Sequence, residues 1–174
     1  MRQLTVLIVA LFVLALGAGQ VCAEKVELKG PHICCGQCVK IAQGLLSKVD
    51  GVSEAKADQK SKTVTFTAKD EAAVKAGIQA LLDGGFFGEA TCEGKALKLS
   101  VAAGEGKADV VEVNKVHVCC GQCQKAINKL FSDAKVSFEG KGAQRTVRIE
   151  GSNLDRAVVM EALRKAGFNG TPAK

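Results

Sequence analysis

The sequence predicts an α+β fold made of two copies of one βαββαβ unit. The first observation is an internal repeat, because His32-Ile-Cys-Cys-Gly-Gln-Cys38 recurs as His117-Val-Cys-Cys-Gly-Gln-Cys123, at an offset of 117 − 32 = 85 residues. The second is that strand-like and helix-like apolar periodicities follow one another in the same order in both copies. The third is a short apolar run at the N-terminus, which predicts a signal peptide.

In each copy a strand, near 25–31 or 110–117, leads into the cysteine motif. The next apolar residues are spaced as on a helix: Cys38, Ala42, Leu45, Leu46 and Val49, then Cys123, Ile127, Leu130, Phe131 and Ala134. Two alternating strands come next, around Val52, Ala55, Ala57 with Val64, Phe66, Ala68, and around Val136, Phe138 with Val147, Ile149. A second helix ends near Gly85 or Gly167, and a last short strand is expected to start at Phe86 or Phe168.

This order is that of a ferredoxin-like unit, an antiparallel sheet covered on one face by two helices. The predicted boundaries are 24–92 for the first domain, 93–109 for a linker and 110–174 for the second domain. Within the linker, Ala96 to Val101 are compatible with an extra strand, and the small, polar residues Ala102 to Asp109 predict flexibility.

Residues 1–23 have the features of a cleavable signal. Arg2 is basic, Leu4 to Leu16 is apolar apart from Thr5, and Val21-Cys22-Ala23 offers small residues before Glu24. The apolar run is shorter than the roughly 20 residues that span a bilayer. We therefore expect an exported protein, periplasmic or secreted, with no stable membrane association after cleavage.

Composition excludes some partners. The net charge of +6 is scattered along the chain, and only 4% of residues are aromatic, all of them Phe. A nucleic-acid partner is not expected, since stacking aromatics between clustered basic residues are missing. The 47% of hydrophobic residues predicts a globular protein with an aliphatic core.

Six of the eight cysteines fall in the two motifs. Cysteines that staple distant loops are spread along a chain, whereas clusters at a strand-to-helix turn suit metal ligation or thiol redox chemistry. The helix N-terminus favours thiolate, and soft sulfur ligands select Cu(I), zinc and similar ions. Cys35, Cys38, Cys120 and Cys123 are therefore predicted ligands, near-linear for Cu(I), which implies about two ions per chain.

Cys34 and Cys119 are further candidate ligands, provided that the backbone there is not extended. His32 and His117, which are the only histidines, are candidates for ligation or for tuning the site. A closed tetrahedral zinc site within one motif is disfavoured, because four ligands would have to come from seven consecutive residues. Cys92 has no counterpart in the second copy and is expected to be a free thiol.

On these residues the chain resembles heavy-metal-associated domains, as found in copper chaperones, copper-transporting ATPases and periplasmic mercury-binding proteins. Their Gly-Met-x-Cys-x-x-Cys motif aligns with Cys35–Cys38 and Cys120–Cys123, with Ile33 and Val118 at the Met position and the histidines at the Gly position. The resemblance implies that Phe86 and Phe168 lie near the metal. It covers about residues 25–92 and 110–171.

The leading hypothesis is therefore a non-enzymatic protein that sequesters or delivers Cu(I), with Hg(II) or Zn(II) as other candidate cargo. A metal-transporting or metal-accepting protein is the expected partner. Two alternatives stay open: a thiol–disulfide oxidoreductase that uses the Cys-x-x-Cys pairs, and a structural protein with oxidised clusters. Against the oxidoreductase, the element order is not that of thioredoxin, and Pro31 and Pro172 are the only prolines.

Overall fold

The structure, a computed structural model, describes residues 23–173. These residues form α-helices and antiparallel sheets, which confirms the α+β class. The predicted signal peptide, 1–23, lies outside the described residues except for Ala23. No helix in the described part of the chain is both long enough and apolar enough to cross a membrane.

The first repeat contains five strands and two helices among the described residues. Their bounds are β1 Glu24–Lys29, α1 Gly36–Leu46, β2 Val52–Asp58, β3 Thr63–Ala68, α2 Glu71–Asp83, β4 Glu89–Cys92 and β5 Lys95–Ala96. The second repeat follows the same order. Its elements are β6 Lys107–His117, α3 Gly121–Leu130, β7 Lys135–Glu139, β8 Gln144–Asp155, α4 Arg156–Lys165 and β9 Thr171–Pro172.

The strands pair into two separate sheets. The first has the order β2-β3-β1-β4-β5 and the second the order β7-β8-β6-β9. In both sheets the strand that leads into the cysteine motif is central, and every pairing is antiparallel. Each cysteine motif therefore follows a strand that is hydrogen-bonded to a neighbour on both sides.

The last strand of each repeat differs from the prediction. β4 begins at Glu89 and β9 at Thr171, and not at Phe86 and Phe168. Those two phenylalanines instead form an isolated antiparallel bridge with each other, across the boundary between the repeats. The sequence predicts that the backbone at Phe86 and Phe168 starts a strand within each repeat, but in the structure it joins the two repeats.

The linker also differs. The extra strand is β5, Lys95–Ala96, and it does not extend to Val101. Leu97 follows it and donates its amide to the carbonyl of Ala90 at 2.8 Å. Further along, the guanidinium of Arg164 on α4 donates to the carbonyl of Ala102. The segment is anchored at both ends, in contrast to the flexible linker that its composition predicts.

One hydrophobic core runs through both repeats. In the first it includes Leu28, Leu46 and Val64, and in the second Val113, Ile127 and Val147, all fully buried. The buried cysteines Cys38 and Cys123 belong to the same core. The repeats are thus packed together at the face that carries their cysteines.

The turns that end α2 and α4 form the contact between the two repeats. α2 and α4 each stop in a Schellman motif, in which Gly85 (φ +85°) and Gly167 (φ +84°) take the left-handed conformation. The amide of Phe86 bonds to the carbonyl of Leu81, and that of Phe168 to Leu163, both at 3.0 Å. Each turn projects a glycine carbonyl and a phenylalanine towards the other repeat.

Hydrogen bonds then connect the two turns. The carbonyl of Gly167 accepts from the amides of His32 and Phe87, both at 3.0 Å, and the carbonyl of Gly85 accepts from the amide of Asn169 at 2.8 Å. The side-chain amide of Asn169, which is buried, donates to the carbonyl of Leu82 at 3.0 Å. Phe87 and Asn169 occupy equivalent places, so this junction has an approximate two-fold symmetry.

Candidate metal centre

Each cysteine motif begins a helix. Cys35 is the N-cap of α1 (φ −157°, ψ 169°) and Cys120 the N-cap of α3 (φ −154°, ψ 172°). Neither thiol caps its helix by a side-chain hydrogen bond. The free N–H groups and the positive end of each helix dipole therefore remain available to negative charge at the sulfurs. Cys38 and Cys123 lie in the first helical turn and are fully buried.

The sulfurs of one motif lie against those of the other. Cys34 Sγ is 3.6 Å from Cys123 Sγ, and Cys38 Sγ is 3.5 Å from Cys119 Sγ. Cys120 Sγ is 3.7 Å from Cys34 Sγ and 3.9 Å from Cys35 Sγ. These distances match those within a motif, 3.7 Å for Cys35–Cys38 and 3.8 Å for Cys120–Cys123. All six motif cysteines are free thiols and make up one centre between the repeats.

The spacing has consequences for coordination. Two sulfurs bound to one ion at about 2.3 Å are about 4.6 Å apart when linear, about 4.0 Å in a trigonal plane and about 3.8 Å at a tetrahedral angle. The Cys-x-x-Cys pairs, at 3.7 and 3.8 Å, are too close for the near-linear arrangement that the sequence favoured. The geometry of the centre fits three or four ligands per ion.

The sulfurs of Cys34 and Cys119 lie within the centre, although the sequence left open whether these residues are ligands. Cys34 Sγ lies 3.6 Å from Cys38 Sγ, and Cys119 Sγ lies 3.9 Å from Cys123 Sγ. The carbonyl of Cys34 accepts a hydrogen bond of 2.8 Å from the side chain of Gln59, which fixes the loop in this orientation. Both sulfurs therefore point into the centre together with the Cys-x-x-Cys pairs.

The histidines line the same centre, each beside a cysteine of the other repeat. His117 has a nitrogen within 4.8 Å of the sulfurs of Cys38, Cys119 and Cys123, and His32 has one within 4.8 Å of Cys34 and Cys123. Within residues 23–173, His32 Nε2 and both ring nitrogens of His117 are buried with no hydrogen-bond partner. Unpartnered buried nitrogens are costly, and a ligand or an ion would satisfy them.

Phe86 and Phe168 contact the histidines across the repeat boundary. The ring of Phe168 stacks on His32, with centroids 4.2 Å apart and an interplanar angle of 23°. The ring of Phe86 packs on His117 at the same separation, with an angle of 30°. Both phenylalanines thus lie beside the centre, and each acts on the motif of the other repeat, a pairing that the sequence did not predict.

The pKa values of the thiols shift in opposite directions within the centre. The pKa of Cys38 is lowered, because the neighbouring thiol of Cys123 and then the imidazole of His117 favour its thiolate enough to outweigh burial. The pKa of Cys123 is raised well above the usual range, since it holds its proton for Cys38 and is itself buried. Burial raises the pKa of Cys34 and Cys119 in the same direction.

The pKa of Cys120 shifts in the opposite direction to those of Cys34 and Cys119. Burial opposes its ionisation, but the nearby amides of Cys123 and Gln122 favour the thiolate more strongly and lower its pKa to about 7. These amides belong to the first turn of α3, so the helix start stabilises the thiolate as the sequence led us to expect. Cys120 shares its partial exposure with Cys34, Cys35 and Cys119, whereas Cys38 and Cys123 are buried.

Cys92 lies apart, at the end of β4. Its thiol donates to the carboxylate of Glu24 at 2.9 Å. Its pKa is raised to about 11 by burial and by that carboxylate. It is a free thiol outside the centre.

Residues that hold the centre together were missed as such by sequence reasoning. The sequence predicts Gly85 and Gly167 only as the ends of helices, and it indicates no role for Phe87 and Asn169. The signal that could have found them is the parallel recurrence of Gly-Phe-Phe-Gly at 85–88 and Gly-Phe-Asn-Gly at 167–170. Two equivalent turns with exposed backbone can pair with each other when the repeats face one another.

The fold and this centre together define an α+β protein of two repeats, with a thiol-rich site between them in the described residues. No protein-family model matches the chain, and no curated protein matches it. Among solved structures, it aligns with the ligand-free regulatory subunit of aspartate kinase from Thermus thermophilus, at 18% identity over 83% of this chain and 91% of that one, with a TM-score of 0.26. It also aligns with a candidate glycine cleavage system transcriptional repressor, at 12% identity over 87% and 96%, with a TM-score of 0.26. Similarity at this level defines neither fold nor function.

Proposed function

We propose that this chain binds soft metal ions, Cu(I) above all, at one centre that its two repeats share, and that it sequesters or delivers them. The observation that carries the proposal is the convergence of six free thiols from two motifs, with sulfurs 3.5 to 3.9 Å apart across the repeat boundary. Thiolates in this density suit thiophilic ions and are unsuited to hard cations such as Mg²⁺ or Ca²⁺.

The chemistry of the surroundings supports the same proposal. Two helix N-termini face the sulfurs and favour the negative charge that thiolate ligands bring. The unpartnered nitrogens of His32 and His117 supply two more soft-to-borderline donors at the edge of the group. Four of the cysteines are partly exposed and would let an ion enter or leave by ligand exchange with a partner protein: Cys34, Cys35, Cys119 and Cys120.

Zn(II) and Hg(II) are the other candidate cargo. Cys38, Cys119, Cys123 and His117 lie within 4.8 Å of one another and form a Cys₃His set, the donor set of many tetrahedral zinc sites. Its ligands come from both repeats, which removes the objection that one motif alone could not wrap around an ion. Metal preference is therefore part of what the experiment must measure.

The cellular setting belongs to the proposal as well. The predicted signal peptide would export the protein, and a metal-transporting or metal-accepting protein would be its partner. The similarity of the motifs to heavy-metal-associated domains favours a carrier without catalytic activity. No acid–base pair beside the centre is needed for this role.

The test is anaerobic loading of the fully reduced chain with Cu(I), Zn(II) and Hg(II) in turn, followed by mass spectrometry under native conditions. We expect tight Cu(I) binding that is lost when Cys35, Cys38, Cys120 and Cys123 are all replaced by Ser. Cys92→Ser is the matched control, because it removes a thiol outside the centre and should leave binding unchanged. Metal binding that survives the four substitutions, or no binding by the unaltered chain, would exclude the proposal.

A second candidate is a thiol–disulfide oxidoreductase. It is favoured by one observation, the pKa of about 7 at half-exposed Cys120, which would make a reactive thiolate beside a second thiol. The described residues contain no cis peptide bond, so the cis-proline of thioredoxin-like enzymes is not among them. Reduction of insulin disulfides by the reduced chain, at rates above those of Cys120→Ser, would establish this activity.

A further inference from the structure

We propose that the centre holds a single cluster of four Cu(I) ions bridged by all six thiolates, and not one ion for each motif. This inference rests on the proposed function, because it specifies the form in which the metal is held. It follows from how the six sulfurs are arranged with respect to one another, which neither motif alone determines.

The six sulfurs form four overlapping groups of three, in which each sulfur is counted twice. Their members are Cys34, Cys35 and Cys38; Cys35, Cys119 and Cys120; Cys38, Cys119 and Cys123; and Cys34, Cys120 and Cys123. In the first three groups all sulfurs lie within 4.8 Å of one another. In the fourth the separations are 3.7, 3.6 and 3.8 Å. Each group can therefore surround one three-coordinate ion.

Every cysteine occurs in two of these groups. Cys34, for example, belongs to one group with Cys35 and Cys38 and to another with Cys120 and Cys123. Six thiolates that each bridge two ions supply twelve metal–sulfur bonds, which is three for each of four ions. The arrangement is an octahedron of sulfurs with an ion on four alternate faces, and no thiolate is left over.

Distances favour bridging over two separate sites. Ions held by separate motifs would need sulfurs that are close within a motif and distant between motifs. Instead the shortest separation, 3.5 Å, joins Cys38 to Cys119 of the other repeat. Within the first motif, Cys35 and Cys38 are 3.7 Å apart. The sulfur pairs at 3.5 to 3.9 Å lie slightly inside the roughly 4.0 Å expected for trigonal coordination at about 2.3 Å, so only a small expansion of these pairs is required.

The charge of such a cluster can be balanced locally. Four monovalent ions and six thiolates sum to 4 − 6 = −2. The N-termini of α1 and α3, which begin at Gly36 and Gly121, both face the cluster and together offer a compensating positive potential. Loading would release the protons of the thiols that remain protonated, and no oxidant or reductant is consumed.

The environment also fits Cu(I) chemistry. The buried side chains of Ile33 and Val118 belong to the core beside the two motifs. Phe86 and Phe168 cover the histidines. A thiolate-rich setting with apolar neighbours stabilises Cu(I) and disfavours oxidation to Cu(II), which prefers nitrogen and oxygen ligands.

The test is a stepwise anaerobic titration of the full, reduced chain with Cu(I), followed by native mass spectrometry. We expect metal-free and four-copper species to dominate, with the intermediate species sparse, because bridging makes loading cooperative. X-ray absorption of the loaded protein should show three sulfurs per copper and a copper–copper scattering feature. Saturation at two ions, or coppers with two sulfurs and no copper neighbour, overturns the cluster and leaves metal binding itself intact. No bound copper overturns the proposed function.

Variants separate the cluster from independent motifs. Cys119→Ser removes one bridge, and we expect it to abolish the four-copper species, whereas Cys92→Ser should retain it. If the motifs acted independently, Cys119→Ser would leave binding by Cys35 and Cys38 unchanged and keep at least half of the copper. Circular dichroism of each variant checks folding, and the copper count of the unaltered chain decides the proposal even if the variant unfolds.

Discussion

His32 of the first repeat stacks on Phe168 of the second, with ring centroids 4.2 Å apart. The amide of His32 also donates to the carbonyl of Gly167, the residue just before that phenylalanine. A residue of one cysteine motif is thus fixed by the helix end of the opposite repeat. The metal centre and the docking of the repeats are therefore parts of one structural unit.

Replacing Phe168 by Leu should loosen that unit. The change removes the stack on His32 and leaves space in a fully buried position, and we expect a loss of about 1 to 2 kcal/mol in the free energy of unfolding. Urea denaturation of the metal-free protein measures it. Phe138→Leu, at a half-buried position in β7 remote from the junction, is the control and should cost less. Equal losses for the two variants would argue against a special role for the stack.

Gly167→Ala should separate the repeats more severely. A Cβ there would lie 2.4 Å from both the carbonyl oxygen of Gly30 and the amide of His32, at a φ of +84°. Gly142→Ala is a matched control, because Gly142 has a φ of +88° but open space around it. The control should lose about 1 to 2 kcal/mol from the left-handed backbone alone.

For Gly167→Ala we expect a loss of at least twice that of the control, together with weaker metal binding, because backbone of the first repeat has to move. Differential scanning calorimetry and a competitive Cu(I) chelator assay measure the two effects. A variant that is no less stable than Gly142→Ala would show that the close approach at Gly167 is dispensable.

Asn169→Ala tests the polar part of the junction. Its buried side-chain amide donates to the carbonyl of Leu82 in the other repeat, so truncation removes this hydrogen bond and leaves the carbonyl only the bond from the amide of Gly85. A loss of about 0.5 to 1.5 kcal/mol is expected from denaturant unfolding. The exposed Asn128→Ala on α3 serves as control, and it should change stability by less than about 0.5 kcal/mol. A similarly small effect at Asn169 would contradict its assigned role.

Metal should stabilise the fold as a whole, because its ligands come from both repeats. Binding to the folded state only, at a free Cu(I) concentration about 1,000 times the dissociation constant, contributes about 4 kcal/mol. We expect a single unfolding transition that moves to higher temperature on loading and returns on removal of copper by a chelator. A rise confined to part of a split transition would mean that only one repeat holds the metal.

The metal-free protein should be less stable in mild acid. Burial lowers the pKa of His32 below its ordinary value of 6.5, and Lys62 and His117 act in the same direction against the opposing charge of Cys38. The unfolded chain therefore takes up a proton near pH 6.5 that the folded chain refuses until lower pH. The contribution of neutral His32 to the free energy of unfolding is fully present above pH 6.5, and it is lost as the pH falls through the pKa of His32 in the folded protein.

Urea unfolding at pH 7.5, 6.5 and 5.5 measures this dependence in reduced, metal-free protein. His32→Phe keeps a ring against Phe168 but cannot titrate, so its stability should depend less on pH over the same range. Identical pH profiles for the two proteins would assign the acid sensitivity to other groups.

Much of the architecture follows from sequence. The repeat of the cysteine motif and the apolar periodicities predicted the α+β class, two copies in tandem, and helix starts at the cysteines. These features are local, since they depend on which face of a helix or strand is apolar and on the glycines that end a helix. The predicted ligands Cys35, Cys38, Cys120 and Cys123 lie together for the same reason, within each motif.

The sequence alone determined that two cysteine motifs each begin a helix. It predicted the Cys-x-x-Cys pair of each motif as ligands, and it left open whether the preceding cysteine and histidine bind metal. Only the tertiary structure decided that the motifs face each other, that Cys34 and Cys119 point inward, and that each histidine is packed by the phenylalanine of the other repeat. The physical reason is that repeat docking depends on surfaces far apart in sequence: the carbonyls exposed by the turns at Gly85 and Gly167 pair with backbone at least 167 − 87 = 80 residues away. Periodicity records which residues are buried, but not which repeat buries them.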